Sequence, residues 1–392
     1  MAYRKKVLLV GTSFSATPIF FELKKRGLHV TACGALKTDP VHQYSDESAY
    51  VDYSDRKSLL EVAEAGHYDY LVPTCNDYSY LSASWVAEKL GLPGFDSLEV
   101  SEVLHTKSRF RDFTSSQGLK APEIYEPVRR NYSNIPTPCL VKPVDAFSGK
   151  GITRVDSTKH LPAAIEKAEN ASKLRKCVLE QYVTGTLHSH SAFIRNGKIL
   201  LDFFVDEFCT VYQYQVNCSN HPSRLRTTLR DAVRQEIQKL AESLRICDGL
   251  LHTQFITNES EFWIIECMRR CPGDLYGRLI ERSTSVNYTQ LFIAPFIEED
   301  YAENVAPAHQ LPYGRHTVST TNEIVYFSSI QHIPTAAVEV IQIKPSGEVL
   351  GPAPDDKAAI LVFPFQDAES MFELTPRLAE MVRLTTPGGS SG

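Results

Sequence analysis

The chain has 392 residues, 43% of them apolar and 22% charged, with a net charge of −6. At about 150 residues per domain, this length allows two to three globular domains, and the acidic balance argues against a general nucleic-acid surface. No apolar run approaches the roughly 18 residues a membrane span needs, and nine cysteines scattered without a CxxC pair read as reduced thiols in a cytoplasmic protein.

The first stretch, "KKVLLVGTSFSATPIFFELKKRGLHVTACG", reads as strand, turn at Gly11, amphipathic helix and strand, a βαβ unit. The run before Gly11 is too short for a signal peptide. The alternation continues with a strand over "SAYVDY", a helix over "RKSLLEVAEAG", a strand over "YDYLVP" and a helix over "SYLSASWVAEKLG", as a parallel sheet covered by helices requires. The turn "GTSFSA" lacks GxGxxG, so the dinucleotide fingerprint is absent. A helix spanning "LEVSEVLHTKSRFRDFTSSQG" then ends near Gly118, with Pro122 as a stop. From about 136 the pattern shifts to strands and one long helix over 223–246. Past Pro312 it gives strands "TNEIVYFS" and "AAVEVIQIK" and a last helix over "ESMFELTPRLAEMVRL". The closing "GGSSG" has linker composition.

Four local features point to a phosphate-bearing ligand. Lys107 lies on a helix. Lys142 sits in the apolar strand "CLVKPV", where a half-buried ammonium calls for an anionic partner. The small-residue loop Ser148-Gly149-Lys150-Gly151 follows, rich in backbone N–H groups that suit phosphate oxygens. Glu180-Gln181-Tyr182-Val183 is an extended apolar segment able to offer backbone groups to a base edge, although an ordinary strand end reads equally well. Last, "LLHTQFIT" and "EFWIIECM" alternate about the turn "NESE" as a hairpin, setting Glu266 across from Gln254. A carboxylate there, followed by Arg269 and Arg270, suits a divalent cation and a guanidinium facing developing charge, or a plain surface ion pair.

Taken in order, these segments, together with "NDYS" at 76–79, "HTKSRF" and "ECMRRCPGDLYGRLIERSTSVNYTQL", resemble the ATP-grasp superfamily. The likeness is to carboxylate–amine ligases such as L-amino acid ligases, D-alanine–D-alanine ligase and biotin carboxylase. The resemblance implies α/β and α+β architecture. A pre-ATP-grasp Rossmann-like domain would fill 1–104. An ATP-grasp domain would span 105–310, with a small nucleotide lid at about 136–185. A C-terminal sheet region at 311–388 would complete the core, and 389–392 would be a flexible tail. It further implies that Lys107 and Lys142 contact phosphates, that Ser148, Gly149 and Gly151 form the closing loop, and that Glu180, Gln181 and Val183 read adenine, largely through backbone. Glu266, with Gln254, would hold Mg²⁺ (Mn²⁺ as an alternative), and Arg270 would steady an acyl phosphate, with Lys142 as its catalytic companion. ATP, Mg²⁺, a small carboxylate and an amine are the implied ligands, and a homodimer is a candidate assembly. Arg278, Arg315 and His316, and also His188 and His190, are candidates for the acceptor site, each equally readable as a satisfied polar residue. Three positions depart from the family pattern: Gln254 stands for an acid, Met268 for Asn, and Leu187 for a ribose-binding Glu. These departures keep a non-catalytic nucleotide-binding protein of the same fold as the alternative. A nicotinamide oxidoreductase, suggested by the βαβ start, is disfavoured by the missing glycine fingerprint.

Overall fold

The computed structural model describes residues 4–126, 131–146, 149–258, 260–300 and 307–390. The first sheet is parallel. β1 (Lys6–Val10) leads through α1 (Thr17–Lys25) to β2 (His29–Cys33) and β3 (Glu47–Ala49). Then α2 (Arg56–Gly66), β4 (Tyr70–Pro73) and α3 (Asp77–Leu90) follow, with sheet order β3-β2-β1-β4. β1 and β4 are apolar and buried almost along their whole length, as strands covered on both faces are, whereas β3 at the edge is polar and partly exposed. Asn76 caps α3 by accepting from the Ser79 N–H at 2.9 Å.

The helix read over "LEVSEVLHTKSRFRDFTSSQG" is in fact two, α4 (Leu98–His105) and α5 (Lys107–Ser116). Thr106 between them is extended, at φ −112° and ψ 114°. That break turns α5 onto a new axis and places Lys107 at its first position.

β5 (Cys139–Pro143), β6 (Thr153–Val155), α6 (Leu161–Ala171) and β7 (Cys177–Gln181) form a small antiparallel layer of order β6-β5-β7 with its own apolar core. The main sheet begins with β8 (Thr186–Arg195), β9 (Lys198–Phe208) and β10 (Cys218–His221). It passes over α7 (Thr227–Leu244) to the hairpin β11 (Gly249–Thr257) and β12 (Phe262–Met268). In α7, Val233, Ile237, Leu240 and Ala241 are buried; their spacing of 4, 3 and 1 makes one helical face against the sheet. Each fully buried aliphatic side chain there contributes about 1.5–3 kcal/mol.

After α8 (Tyr276–Thr284) and α9 (Tyr288–Ile293), β13 (Tyr313–Val318) returns to the sheet. β14 (Ile324–Val325), β15 (Ser328–Gln331), β16 (Glu339–Gln342), β17 (Val349–Leu350) and β18 (Ala359–Pro364) follow, then α10 (Ala368–Leu374) and β19 (Val382–Thr386). The large sheet has the order β12-β11-β8-β9-β10-β13-β18-β16. The chain beyond 311 thus supplies three of its eight strands.

The last helix is shorter than the sequence pattern suggests. α10 stops at Leu374, a 3₁₀ segment covers Thr375–Met381 with Pro376 in its first turn, and β19 takes the rest, because proline cannot donate to the preceding turn. The tail read from 389 begins inside a short strand, since Gly389–Ser390 pair with Thr386 and Thr385 of β19. The Thr386 hydroxyl donates to the Gly389 carbonyl at 2.7 Å and closes that turn.

One buried ion pair ties the layers together. Asp96, between α3 and α4, accepts from Arg269 Nε at 2.7 Å and from the Cys247 N–H at 2.7 Å. Arg269 fills its other donors with the carbonyls of Leu250, Cys247 and Asp248. Removing the acid strands a buried guanidinium. Asp96→Ala should therefore cost about 3–5 kcal/mol, read as a lower urea midpoint; a loss below 1 kcal/mol would contradict this account of the junction.

Candidate active site

Alternation along the antiparallel strands sorts the side chains of the large sheet into two faces. Register pairs Met268 with His252, Glu266 with Gln254, Gln254 with Ser189, and Leu187 with Glu207. These residues therefore share one face. On the opposite face, His188 pairs with Asp206 at 2.9 Å and His190 with Asp202 at 2.8 Å, beside α7. The first face floors a cavity of about 430 Å³ whose other walls come from α5, β5, the loop after β5 and the 212–216 segment.

On the cavity wall, Lys142 and Arg111 share the carboxylate of Glu180. Lys142 forms an ion pair with it, and Arg111 Nε donates to it at 2.9 Å. All three side chains are buried. Lys107, one helical turn before Arg111, donates to the Ala146 carbonyl at 2.7 Å and lines the same cavity. Two buried cations thus share one carboxylate, with Lys107 on the same cavity wall. Burial pulls the Lys142 ammonium below its ordinary value, with Glu180 opposing and Arg111 and Lys107 adding to the fall. Burial would raise the Glu180 carboxyl, but the Arg111 and Lys142 charges hold it at about 2. An anionic ligand is what such an excess of buried positive charge lacks.

The loop after β5 has more anchors than its small residues suggest. Gly149, at φ 72°, lies so close to Tyr214 that an added Cβ would stand 2.4 Å from that side chain, and its carbonyl accepts from the Tyr212 hydroxyl at 3.3 Å. Gly151, at φ 75°, has no room for a side chain against Pro143 and Ala171, so packing alone already requires glycine there. Lys150 forms an ion pair with Asp355. Ser148 lies outside the described residues.

Glu266, Gln254, His252 and Met268 also line the cavity. The Gln254 amide donates to Glu207 at 2.7 Å, which leaves its carbonyl oxygen available. Among the described residues no group of three His, Cys, Asp or Glu converges as a metal site. One carboxylate and one amide oxygen fit Mg²⁺ that arrives with phosphate oxygens and water, not a pre-bound ion. Met268 offers only a thioether, a poor ligand for that cation.

Arg270 lines the cavity, yet its fork is taken. Nε and one terminal nitrogen donate to both Asp77 oxygens at 2.8 and 2.9 Å, and the other nitrogen donates to the Cys271 carbonyl at 3.2 Å. His105 also donates to Asp77, at 2.7 Å, while its Nε2 accepts from the Arg269 N–H at 3.2 Å, which fixes its tautomer. Burial would raise the Asp77 carboxyl, but the Arg270 charge and His105 hold it well below the usual range. Arg269 turns away into the junction described above.

Several residues read from the sequence stand elsewhere. Glu180 meets the cavity only through its cation partners; Gln181 and Val183 lie past it at the end of β7 and do not border it. Arg315 is fully buried and occupied by Asp274 at 2.8 Å and Ser219 at 2.7 Å, so it is no free acceptor-site cation. His316 is on the opposite face, bonded to the Asn217 carbonyl at 3.2 Å, because successive strand residues alternate. Arg278 borders a second cavity, paired with Glu339. Sequence reading missed Arg111, legible as the i+4 partner of Lys107. It also missed Glu207, one of three acids in "DFFVDEF". Asp274 and Lys357 complete that side.

Residues 135–276 match the family model described as the ATP-grasp domain. The chain carries an ATP-grasp domain. A formate-dependent phosphoribosylglycinamide formyltransferase of Prochlorococcus marinus (strain MIT 9301) is 24% identical over 305 residues, 75% of this chain and 76% of that one. An L-amino acid ligase from Bacillus licheniformis superposes at TM-score 0.79 and 17% identity, over 98% of this chain and all of that one. The biotin carboxylase domain of Hydrogenobacter thermophilus 2-oxoglutarate carboxylase, solved with MgADP and bicarbonate, does so at 0.76 and 16%, over 99% and 91%. These structural likenesses establish the ATP-grasp fold across nearly the whole chain. Among the described residues no helix is long and apolar enough to cross a membrane.

Burial, then the Asp274 charge, raises the Glu207 carboxyl from about 4.5 to about 8. Folded Glu207 keeps a proton that the unfolded chain releases, so stability falls as pH rises between these values. Glu207→Gln removes that loss. The variant's Tm advantage over the parent should grow from pH 5 to 8 and then level; a constant difference would refute the protonated state.

Proposed function

We propose that the chain is an ATP-dependent carboxylate–amine ligase. In this reading a carboxylate oxygen attacks the γ-phosphorus of ATP, ADP leaves, and an acyl phosphate forms. An amine nitrogen then attacks the acyl carbon, the C–O bond to phosphate breaks, and the amine gives up its proton. The observation that carries the reading is the charge composition of one cavity, whose lining joins the cations Lys107, Arg111 and Lys142 with Glu266 and Gln254. Phosphoryl transfer depends chiefly on such positioning and charge neutralisation. The likeness to a formate-dependent phosphoribosylglycinamide formyltransferase and to an L-amino acid ligase supports it.

Lys107 and Lys142 take the phosphate oxygens, with Arg111 and Glu180 fixing the Lys142 ammonium. Glu266 and the Gln254 carbonyl oxygen would hold Mg²⁺, which supplies neutralisation of phosphoryl charge when bound. Arg270, held by Asp77, presents a fixed positive field to the acyl phosphate. Non-catalytic nucleotide binding is the second reading, favoured by Gln254 and Met268; phosphate release that depends on both an amine and a carboxylate separates the two.

Lys142→Ala should lower the rate of ATP-dependent phosphate release by at least about 10²-fold, as loss of a pre-organised charge does. An unchanged rate would remove Lys142 from the site. Arg270→Lys should lower kcat by about 10²–10³-fold with ATP affinity little changed, because a point charge cannot be gripped by both Asp77 oxygens and so is no longer held in place. Arg269→Lys should instead lower the urea midpoint and leave kcat near normal in the folded enzyme. The reverse pattern would place the wrong arginine in the site.

A further inference from the structure

The cavity just described has a neighbour. A second cavity of about 1220 Å³ lies between the β1–α1 turn, the first turn of α8, the Ser285–Thr289 segment and β16. The two adjoin, since Cys75 and Pro272 border both. On the short loop after β12, Asp274 faces the first cavity and Leu275 the second. The second cavity therefore lies directly beside the first, with Cys75 and Pro272 common to both walls.

Its wall has two properties. The first is an apolar lining: Phe14, Ile19 and Phe21 on one side, and Leu275, Ile341 and Ile343 on the other. Phe21 is 45% exposed, a large apolar ring left uncovered at the wall. The second is that its cations are spent. Five carboxylates border it, Glu22, Asp39, Glu281, Glu339 and Glu348, against three cations. Lys25 pairs with Glu22 at 3.0 Å, Arg278 with Glu339 at 2.8 Å, and Lys344 with Asp356 at 2.6 Å. Just outside the wall, Arg26 is tied to Glu22 and Glu299, and Arg282 to Glu339. Lys357 borders the first cavity, with its ammonium 5.3 Å from the Phe14 ring centroid. The start of α1 is already faced by an anion, because Asp39 accepts from Thr12 at 2.6 Å in the turn that leads into it.

A phosphate monoester needs unpaired guanidinium or ammonium donors. This wall has an excess of two carboxylates and, among the described residues, every bordering cation already pairs with one. We infer that the second cavity is the acceptor site and that it takes an unphosphorylated primary amine with an apolar substituent. It would thereby exclude phosphoribosyl amines of the kind named for the curated relatives. The ammonium is drawn by the acidic excess, and the substituent is buried against Phe14, Leu275 and Ile341. This inference rests on the ligase reading for its chemistry, but its test is a binding measurement independent of turnover.

The full chain is titrated calorimetrically with L-leucinamide, glycinamide and ribose 5-phosphate, each with and without a non-hydrolysable ATP analogue. Leucinamide should bind at least tenfold more tightly than glycinamide, and ribose 5-phosphate should give no measurable heat. Ile341→Asp should weaken leucinamide at least tenfold while the analogue binds as before and the melting curve stays cooperative. Should that variant not fold, Phe14→Ala should weaken leucinamide in the same direction. Tighter binding of ribose 5-phosphate than of leucinamide, equal binding of the two amides, or no amide binding to a chain that does bind the analogue, each overturns the inference. Failure of the analogue to bind while leucinamide does would sink the ligase reading and leave the amine preference standing.

Discussion

Glu180 is the carboxylate on which the cationic wall of the first cavity turns. It is buried, and it is the shared partner of Lys142 from β5 and Arg111 from α5. Arg111 also donates to the Ile264 and Ile265 carbonyls of β12 at 3.4 and 2.8 Å. One cluster thus fixes the small layer, the helix bearing Lys107 and the strand bearing Glu266 in a common frame. Two buried cations on one carboxylate are not a stability device, since desolvation offsets most of the attraction. Their use is positional: they hold a net positive charge where water cannot screen it.

Asp77 plays the corresponding part for Arg270. It comes from the first turn of α3, in the parallel layer, yet it grips Arg270 at the end of β12 with both oxygens and takes a third bond from His105. The parallel layer therefore orients a charge on the antiparallel sheet. Neither half of the chain contains a complete site. This accounts for a likeness to solved ligases that runs over nearly the whole chain while the family model covers only 135–276.

Much of this was legible from sequence because local patterns and packing agree. The apolar strands of the first sheet, the four-residue spacing in α7 and the facing of Gln254 and Glu266 all follow from periodicity. What was not legible depended on distant partners. Nothing local distinguishes Arg315, neutralised by Asp274, from a cation open to a ligand. The glycines after β5 look like a bare loop until Tyr214, from a segment some 60 positions later, packs against one of them. Glu207 is an acid in a strand of aromatics, and only the Gln254 amide on a non-adjacent strand gives it a role. The break at Thr106 had no proline or glycine to mark it.

The bulge in β12 has its own consequence. Register runs Gln254 to Glu266, then Phe255 to Ile264, so Ile265 is an extra residue. In a regular strand, Ile264 and Glu266, two apart, would share a face. With the bulge, Ile264 belongs to the apolar core on the α7 side, while Glu266 looks into the cavity. The paired isoleucines in "WIIE" thus act as a phase shifter. One strand serves oil at one end and ions at the other, and pairing it regularly with every residue kept would put Glu266 on the same face as Ile264, turned away from the cavity.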